Sequence, residues 1–380
     1  MSEHIMVKKE LPGLTDRVAF SNAIRLSGRQ WLGVALFALV LAWLAPVLWK
    51  QVEEFTLEPD YRMPRELSND YWFYERYVGL AAEEYDILVL GDSVIWGEFV
   101  TRSETLPHYL NTQEGKERFA NLGLNGAHPL ALEGLIEHYA GTIAGKRVLL
   151  HCNPTWLQHR KADLQDVDAD VNHPRLVPQF VPRIPAYKEE ISQRLGILVE
   201  RRLAINKWTN HLQQAYYRTD VPSIPNDIPS WTLKHPYDNP LAPLSRPLPP
   251  SDDKRREDSG PWKKRGVTVQ DVAWIDMDTS LQWPAFQRVV EILHRRGNRV
   301  FVLVGPFNEH MLTEESLENY LPVKETIAAW LKENQVPHLM PDALPSEQYA
   351  DASHPLATGY EALARQLLED PALRSAVAPR

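Results

Sequence analysis

The segment from Trp31 to Trp49 constrains the fold of this chain more than any other feature. Its sequence, WLGVALFALVLAWLAPVLW, contains no charged side chain. As an α-helix rising about 1.5 Å per residue it spans roughly 28 Å, close to the hydrocarbon thickness of a bilayer. Tryptophan at both ends suits the two membrane interfaces. No small-residue cleavage site follows, so a transmembrane helix over 31–49 is favoured over a cleaved signal peptide or a buried core helix.

The charges on either side of this segment predict how it crosses the membrane. The cations before it are Lys8, Lys9, Arg17, Arg25 and Arg29. The charged residues after it are Lys50 and then Glu53, Glu54, Glu58 and Asp60. Because basic residues are retained on the cytoplasmic side, residues 1–30 are expected to form a cytoplasmic tail. The rest of the chain then lies outside the cytoplasm, in the periplasm or the extracellular space, tethered to the cell membrane by a single pass.

From residue 85 onward, short apolar runs alternate with amphipathic ones. The strand-like runs are Ile87–Leu90, Phe119–Leu124, Arg147–His151, Arg299–Gly305 and a short one near Pro337–Met340. The helix-like runs are Pro129–Ala140, Pro284–Arg296, Glu314–Glu333 and Pro355–Leu368. This alternation predicts an α/β fold over residues 85–375, with three layers built around a parallel sheet.

Two stretches fall outside this pattern. Residues 50–84 are rich in acidic and aromatic side chains and are interpreted as a juxtamembrane segment. Residues from about 155 to 282 form an insertion, in which 186–217 predict a long amphipathic helix and 222–262 a proline-rich extended arm. Part of the arm, Asp252–Ser259, is expected to be disordered. The insertion is open to four interpretations: a lid, a substrate platform, a partner-binding arm or a passive surface elaboration.

Composition excludes several classes of function. The net charge of -9 gives no reason to expect a nucleic-acid partner. The single cysteine, Cys152, rules out an intrachain disulfide and is expected to be a small core residue. No histidine pair has the spacing of a zinc protease, and no glycine loop has the pattern of a phosphate-binding loop. We therefore expect neither a metal nor another cofactor.

Polar residues follow each predicted strand, and in a parallel sheet these positions share one edge. Asp92 and Ser93 follow the first strand, Gly126 and His128 the second, and Asn153 the third. Asn308, Glu309 and His310 follow the fourth strand, and Asp351 and His354 precede the last helix. Asp92, His128, Asn308, Glu309 and His310 are candidate substrate contacts, whereas Trp96 is expected to pack in the core.

The remaining residues of this set have the chemistry of a serine nucleophile. A serine hydroxyl needs a base, and the base needs an orienting group. Asp351 and His354 are three residues apart, so one helical turn would bring the carboxylate to the imidazole and leave Nε2 for the proton of Ser93. The backbone N–H groups of Ser93 and Gly126 and the side-chain amide of Asn153 are candidate donors to an oxyanion.

The chain from about 85 to 370 resembles the SGNH (GDSL-type) hydrolase superfamily. The blocks that carry the resemblance occur in order: GDS at 91–93, NLGLNG at 121–126, the asparagine of LLHCNPTW, and DASHP at 351–355. The resemblance implies a flavodoxin-like α/β/α sandwich in which Ser93 is the nucleophile, His354 the base and Asp351 its orienting group. It also implies an oxyanion hole of Ser93, Gly126 and Asn153. The third block departs from the family's glycine-x-asparagine-aspartate pattern, since it reads His151-Cys152-Asn153-Pro154.

Three functions are compatible with these residues. The first is a membrane-tethered esterase that removes acyl groups, acetyl above all, from an envelope or extracellular glycan or lipid. The second is a polysaccharide O-acetyltransferase that uses the same triad and receives its acyl group from an integral membrane partner. The third is a catalytically inactive scaffold or binding subunit. The presence of all five candidate site residues favours the enzymes.

Overall fold

The computed structural model describes residues 26–216 and 248–378, and its centre is a parallel five-stranded sheet. The strands are β1 (Ile87–Gly91), β2 (Phe119–Gly123), β3 (Arg147–Cys152), β4 (Arg299–Val304) and β5 (His338–Leu339). They lie in the order β2-β1-β3-β4-β5, and each pairs in parallel with its neighbours. The predicted α/β fold with a parallel sheet is therefore confirmed.

Helices cover both faces of this sheet. Those on its faces are α2 (Tyr71–Glu84), α4 (Leu106–Glu114), α5 (Pro129–Tyr139), α8 (Gln282–Arg295), α9 (Glu314–Glu333), α10 (Ala357–Glu369) and α11 (Pro371–Val377). The short helix α3 (Ser93–Trp96) follows β1 at the edge of the sheet, whereas α6 (Ile191–Arg202) and α7 (Ala204–Ala215) lie outside these layers, with α7 against α2. Leu88 and Leu90 of β1 pack with α2, α5, α8 and α9. Ile87 and Val89, which point the other way, pack with α4, α10 and α11. Burial on both faces explains why the strands are continuous apolar runs rather than alternating ones.

The predicted helices of this domain agree with the observed ones to within about two residues at each end. Pro129–Ala140, Pro284–Arg296, Glu314–Glu333 and Pro355–Leu368 correspond to α5, α8, α9 and α10. α8 shows why the pattern was readable, because Phe286, Val289, Val290 and Leu293 form one buried face.

The N-terminal apolar segment forms a separate helix, α1 (Gly28–Val52), which is long and apolar enough to cross a membrane. Ser27 and Gln30 cap its start reciprocally, so the helix begins three residues before Trp31. Its large apolar side chains, such as Phe37, Leu39 and Trp43, are exposed. Residues 1–25, which make up most of the predicted cytoplasmic tail, lie outside the described residues.

Residues 50–84 are part of the domain rather than a linker to it. α2 buries Phe73, Tyr74 and Tyr77 in the core beside the sheet. Asp70 caps this helix by accepting a hydrogen bond from the backbone N–H of Phe73 at 3.0 Å. The sequence interpretation missed α2 because it grouped the aromatic residues of this helix with the acidic residues that precede them, as one juxtamembrane segment.

The insertion also differs from its prediction. The single helix expected over 186–217 is two helices, α6 and α7, because Leu203 between them has extended backbone angles. Residues 217–247, most of the predicted proline-rich arm, lie outside the described residues. The segment Asp252–Ser259, for which disorder was expected, packs on the domain. The guanidinium of Arg62 is fully buried and donates to the backbone oxygens of Asp252 and Lys254.

Candidate active site

Ser93 lies at the turn between β1 and α3. Asp92 directly follows the strand and caps the short helix, accepting a hydrogen bond from the N–H of Val94 at 3.0 Å. Ser93 is therefore the first helical residue, at the carboxyl edge of the sheet. Gly123 at the end of β2 allows this close fit, because a Cβ atom there would lie 2.2 Å from the backbone nitrogen of Trp96.

His354 connects Ser93 to Asp351, although the two partners are 261 and 3 residues from it in the sequence. The Nε2 atom of His354 lies 2.8 Å from the Oγ atom of Ser93. Its Nδ1 atom lies 2.8 Å and 2.9 Å from the two carboxylate oxygens of Asp351. With the proton of a neutral imidazole on Nδ1, Nε2 is an acceptor for the serine hydroxyl.

The loop that carries Asp351 and His354 is not the helical turn that the spacing suggested. The Oδ1 atom of Asp351 accepts from the backbone N–H groups of Ser353 at 3.0 Å and His354 at 2.9 Å, which folds the loop back on itself. Asn308, after β4, holds the loop from beneath. Its N–H donates to the oxygen of Ala352 at 2.8 Å, and its side-chain amide donates to the oxygen of Asp351 at 3.1 Å.

A second carboxylate faces the same imidazole. An oxygen of Glu98 lies 3.6 Å from Nε2 of His354, on the side opposite Asp351. Burial lowers the pKa of His354, but the charges of Asp351, Glu98 and Asp92 outweigh it and raise the pKa to about 9. Burial likewise raises the pKa of Asp351, and the His354 charge and hydrogen bonds bring it down to about 2. Both shifts favour the ionised pair, an imidazolium beside a carboxylate.

Two backbone N–H groups near Ser93 are free to bind an oxyanion. Within residues 26–216 and 248–378, the N–H groups of Ser93 and Gly126 donate to no protein acceptor. Leu124 N–H bonds to the oxygen of Gly91 at 3.0 Å, which holds the loop after β2 beside the start of α3. Gly126 has a φ of +76°, a conformation that favours glycine, and a Cβ atom there would lie 3.2 Å from the Asn172 amide.

Asn153, the third predicted donor, is oriented by Asp92. Its amide nitrogen donates one hydrogen to Oδ2 of Asp92 at 2.7 Å, while its oxygen accepts from the N–H of Thr155 at 3.0 Å. The second hydrogen of the amide nitrogen is available to another acceptor.

Asp92 itself holds several elements of the site together. Its buried carboxylate also accepts from Nε1 of Trp156 at 2.8 Å and lies 3.2 Å from Nδ1 of His151. Burial raises the pKa of Asp92, but the His151 charge and the hydrogen bonds from His151 and Asn153 lower it well below its usual range. Asp92 was a candidate substrate contact, whereas the structure places it beneath the serine with its oxygens occupied.

Three other candidate contacts, His128, Glu309 and His310, bond to groups outside the triad. His128 caps α5, accepting from the N–H of Ala131, and burial lowers its pKa to about 4. Glu309 pairs with Lys324 at 2.8 Å, and His310 bonds to the oxygen of Leu344 at 3.0 Å. None of the three hydrogen-bonds to the triad. Cys152 and Trp96 are buried, as expected.

Sequence reasoning missed the contribution of the insertion to this site. Arg256 donates to Glu98 at 3.0 Å, and its guanidinium lies 4.7 Å from the ring centroid of Phe99. The Phe99 ring is in turn 5.2 Å from the imidazole of His354. A cavity of about 220 Å³ borders Phe99 and is lined also by Arg255, Ser259 and Leu356, but by none of the triad residues. No spacing in the sequence signals these contacts, because they join residues more than 150 positions apart.

Metal ligands are not assembled in the described part of the chain, where no three His, Cys, Asp or Glu side chains cluster to hold an ion. The arrangement of Ser93, His354 and Asp351 is suited to nucleophilic catalysis without one. No protein-family model matches this sequence, and no curated protein matches it.

Proposed function

We propose that this protein is a membrane-tethered serine esterase of the SGNH type. One observation carries the proposal: the hydroxyl of Ser93, the imidazole of His354 and the carboxylate of Asp351 form a continuous hydrogen-bonded chain. The same order of contacts forms the serine–histidine–aspartate triad of hydrolases on unrelated folds. The free N–H groups of Ser93 and Gly126 supply the complementary half of an acyl-transfer site.

The chemistry follows from these positions. Neutral His354 accepts the proton of Ser93 at Nε2 as Oγ attacks the ester carbonyl carbon. The carbonyl oxygen becomes an oxyanion, which the N–H groups of Ser93 and Gly126 and the amide of Asn153 stabilise. The tetrahedral intermediate collapses, the C–O bond to the alcohol breaks, and His354 returns the proton to the leaving oxygen. Water then attacks the acyl-Ser93 ester by the same steps, releasing the acid and free Ser93.

The fold supports the assignment to the SGNH superfamily. A β2-β1-β3-β4-β5 order is that of flavodoxin-like sheets, in which ligands bind beyond the carboxyl ends of the strands. The four sequence blocks of the family supply residues at that edge. His151 and Asn153, in the block that departs from the family pattern, both contact Asp92 of the first block.

We further propose that the catalytic domain lies outside the cytoplasm. The cations before α1 and the acids after it favour a cytoplasmic N-terminus. A single-pass tether of this orientation brings the site to envelope or extracellular glycans and lipids. The preferred substrate class is therefore an O-acylated, above all O-acetylated, glycan or lipid on the non-cytoplasmic side of the membrane that α1 crosses.

The proposal is tested by labelling the full chain, in detergent or nanodiscs, with a fluorophosphonate and measuring intact mass. We expect one adduct on the wild-type protein, none on Ser93→Ala, and a rate on His354→Gln lower by about a thousandfold or more. Full-length protein is needed because Trp49, at the end of α1, packs against Trp208 and Tyr216 of the domain.

The acceptor requires a separate measurement. Untreated wild-type protein that releases free acid from acetylated glycans or p-nitrophenyl acetate, and loses this activity after fluorophosphonate labelling, is an esterase. Faster gain of acetyl mass by an added oligosaccharide than release of acetate would identify an acetyltransferase instead. Absence of any adduct on the folded wild-type protein would contradict both enzymatic functions and leave the scaffold role.

A further inference from the structure

The helix α6 has its polarity inverted relative to an ordinary surface helix. Its exposed face carries large apolar side chains at every fourth position, namely Ile191, Leu195, Val199 and, directly after the helix, Leu203. These four side chains are between 48% and 70% exposed, and no residue of α6 is buried. Side chains four residues apart lie on one face of a helix, so these form a continuous apolar stripe.

The charged side chains of α6 point instead toward the protein. Arg194 donates to the backbone oxygens of Gln179, Tyr187 and Glu189. About two turns later, Arg201 donates to the backbone oxygens of Arg175 and Val177. The carboxylate of Glu200 faces Arg175. From residue 191 to 204, the exposed side chains include a single charged group, that of Arg202. A helix in contact with water normally has the opposite arrangement.

The apolar exposure is also concentrated here. Outside α1, the described residues include nine exposed large apolar side chains, and six of them lie between residues 180 and 203. Phe180 and Val181 form the tip of a loop that is bonded to α6 through Arg194 and the oxygen of Gln179. Together with the stripe they form an apolar surface, which we call the α6 surface. Clustered exposure of this kind marks an interaction site, whereas scattered apolar residues do not.

The position of α7 relates the α6 surface to the membrane. Leu203 joins α6 to α7, and Trp208, five residues later and about 8 Å along the helix, packs on Trp49 of α1 at a centroid distance of 5.7 Å. Tyr216 at the far end of α7 contacts the same Trp49 ring at 5.8 Å. The α7 helix thus lies across the end of α1, where Trp49 marks the membrane–water interface.

We infer that the α6 surface lies in the membrane–water interface at the Trp49 end of α1, with Leu195 and Val199 turned toward the lipid acyl chains. A helix of this kind buries its apolar face about 5–10 Å into the boundary between headgroups and chains. Lipid is the favoured occupant because the surface adjoins the end of the spanning helix in the same chain. The sole exposed charge on α6, Arg202, is a cation that suits anionic headgroups. Membrane contact at α6 is independent of any reaction at Ser93.

Depth-dependent fluorescence quenching tests this inference on the full-length protein in nanodiscs. Leu195→Cys is labelled with the environment-sensitive dye NBD, in discs of phosphatidylethanolamine and phosphatidylglycerol that contain nitroxide lipids. Native Cys152 is buried, so wild-type protein gives the labelling background. The matched control is Arg365→Cys on α10, which is exposed and lies on the opposite face of the sheet from α2 and α7.

We expect severalfold greater quenching at position 195 than at 365, strongest for a nitroxide near the headgroup end of the acyl chain. Val199→Cys should repeat the result, which guards against a local fault in one variant. Equal and weak quenching at 195, 199 and 365 would overturn the inference. A blue-shifted dye at 195 that lipid nitroxides do not quench would also overturn it, and would assign the surface to a protein contact.

Discussion

Two histidines of this protein have similar electrostatics and different neighbours. His354 lies between Asp351 and Glu98, and His211 of α7 lies between Asp70 and Glu53. In both, burial lowers the pKa of the imidazole, and the neighbouring carboxylates reverse this and raise it to about 9. Pairing with carboxylates alone therefore does not distinguish a catalytic histidine from a structural one.

The difference lies in what the second ring nitrogen meets. Both nitrogens of His211 are held at hydrogen-bond distance by carboxylates, Nδ1 by Asp70 at 2.6 Å and Nε2 by Glu53 at 2.7 Å. Its ring is fully buried and stacks on Trp72 at 4.3 Å. Nε2 of His354 instead meets a serine hydroxyl at 2.8 Å, with Glu98 farther away at 3.6 Å. Both ring nitrogens of His211 therefore face carboxylates, which favour its protonated form, and neither faces a hydroxyl.

The His211 cluster joins three parts of the chain. Glu53 follows α1, Asp70 caps α2, and His211 belongs to the insertion. Glu53 also accepts from Nε1 of Trp49 at 3.0 Å and from the hydroxyl of Tyr216 at 2.5 Å. This cluster fixes α1 to the domain, which a flexible juxtamembrane segment would not do.

The matched substitutions His211→Gln and His354→Gln should separate the two roles most clearly. His211→Gln leaves the buried carboxylate of Asp70 without its cation, whereas Glu53 keeps its ion pair with Arg76, and we expect a loss of about 3 kcal/mol in the free energy of unfolding. Fluorophosphonate labelling of the folded protein should stay near the wild-type rate. His354→Gln should do the reverse, with labelling abolished and a smaller loss of stability. Denaturant unfolding and labelling of the same samples measure both effects, and loss of labelling in folded His211→Gln would break the distinction.

The pH dependence of stability should reveal both protonated histidines. Each holds in the folded state, up to about pH 9, a proton that the unfolded chain releases near 6.5. Their stabilisation is therefore complete below about pH 6.5 and declines as the pH rises to about 9. For His211 the loss across this window is about 3 kcal/mol.

Unfolding measured across that window should show the decline in wild-type protein and a flatter dependence in His211→Gln. His354→Gln should flatten it as well, but by a separate and additive amount, since the two sites share no residue. A wild-type stability that is constant from pH 6.5 to 9 would contradict the protonated state of both rings.

The strands of the sheet and the residues that meet at its edge could be predicted from the sequence because the patterns that indicate them are local. Each strand is a short apolar run, and Ser93, Gly126, Asn153 and His354 each stand at a fixed place relative to such a run or to the last helix. Topology then brings these places to one edge without further information. The predicted contact between Asp351 and His354 forms although its geometry differs, since Asp351 reaches His354 through a folded loop and not a helical turn.

The structure of the insertion and of residues 50–84 could not be predicted, because it depends on contacts with residues far away in the sequence. Arg62 is buried only because the oxygens of Gly97, Val100, Asp252 and Lys254 accept its hydrogens, at separations of up to 192 residues. Proline-rich segments lack the periodicity that reports on a fold. Glu98 was missed for the same reason, because nothing in its surroundings in the sequence places it beside His354.

Glu98→Gln should give the smallest effect and the sharpest comparison with His211. Removing this charge lowers the pKa of His354, while Asp351 still orients the ring. We expect the pH profile of Ser93 labelling to move toward lower pH by about one unit. Labelling at neutral pH should then rise by up to about tenfold, because more of the imidazole is neutral. The plateau at high pH should fall, since a weaker base accepts the proton less readily.

Glu104→Gln is the matched control, because Glu104 pairs with Arg255 of the same segment as Arg256 and makes no contact with His354. Its profile should coincide with that of the wild-type protein. If Glu98→Gln only reduced labelling at every pH, Glu98 would act by holding Arg256 and the insertion in place. In that case the second carboxylate at His354 would be structural, as both carboxylates are at His211.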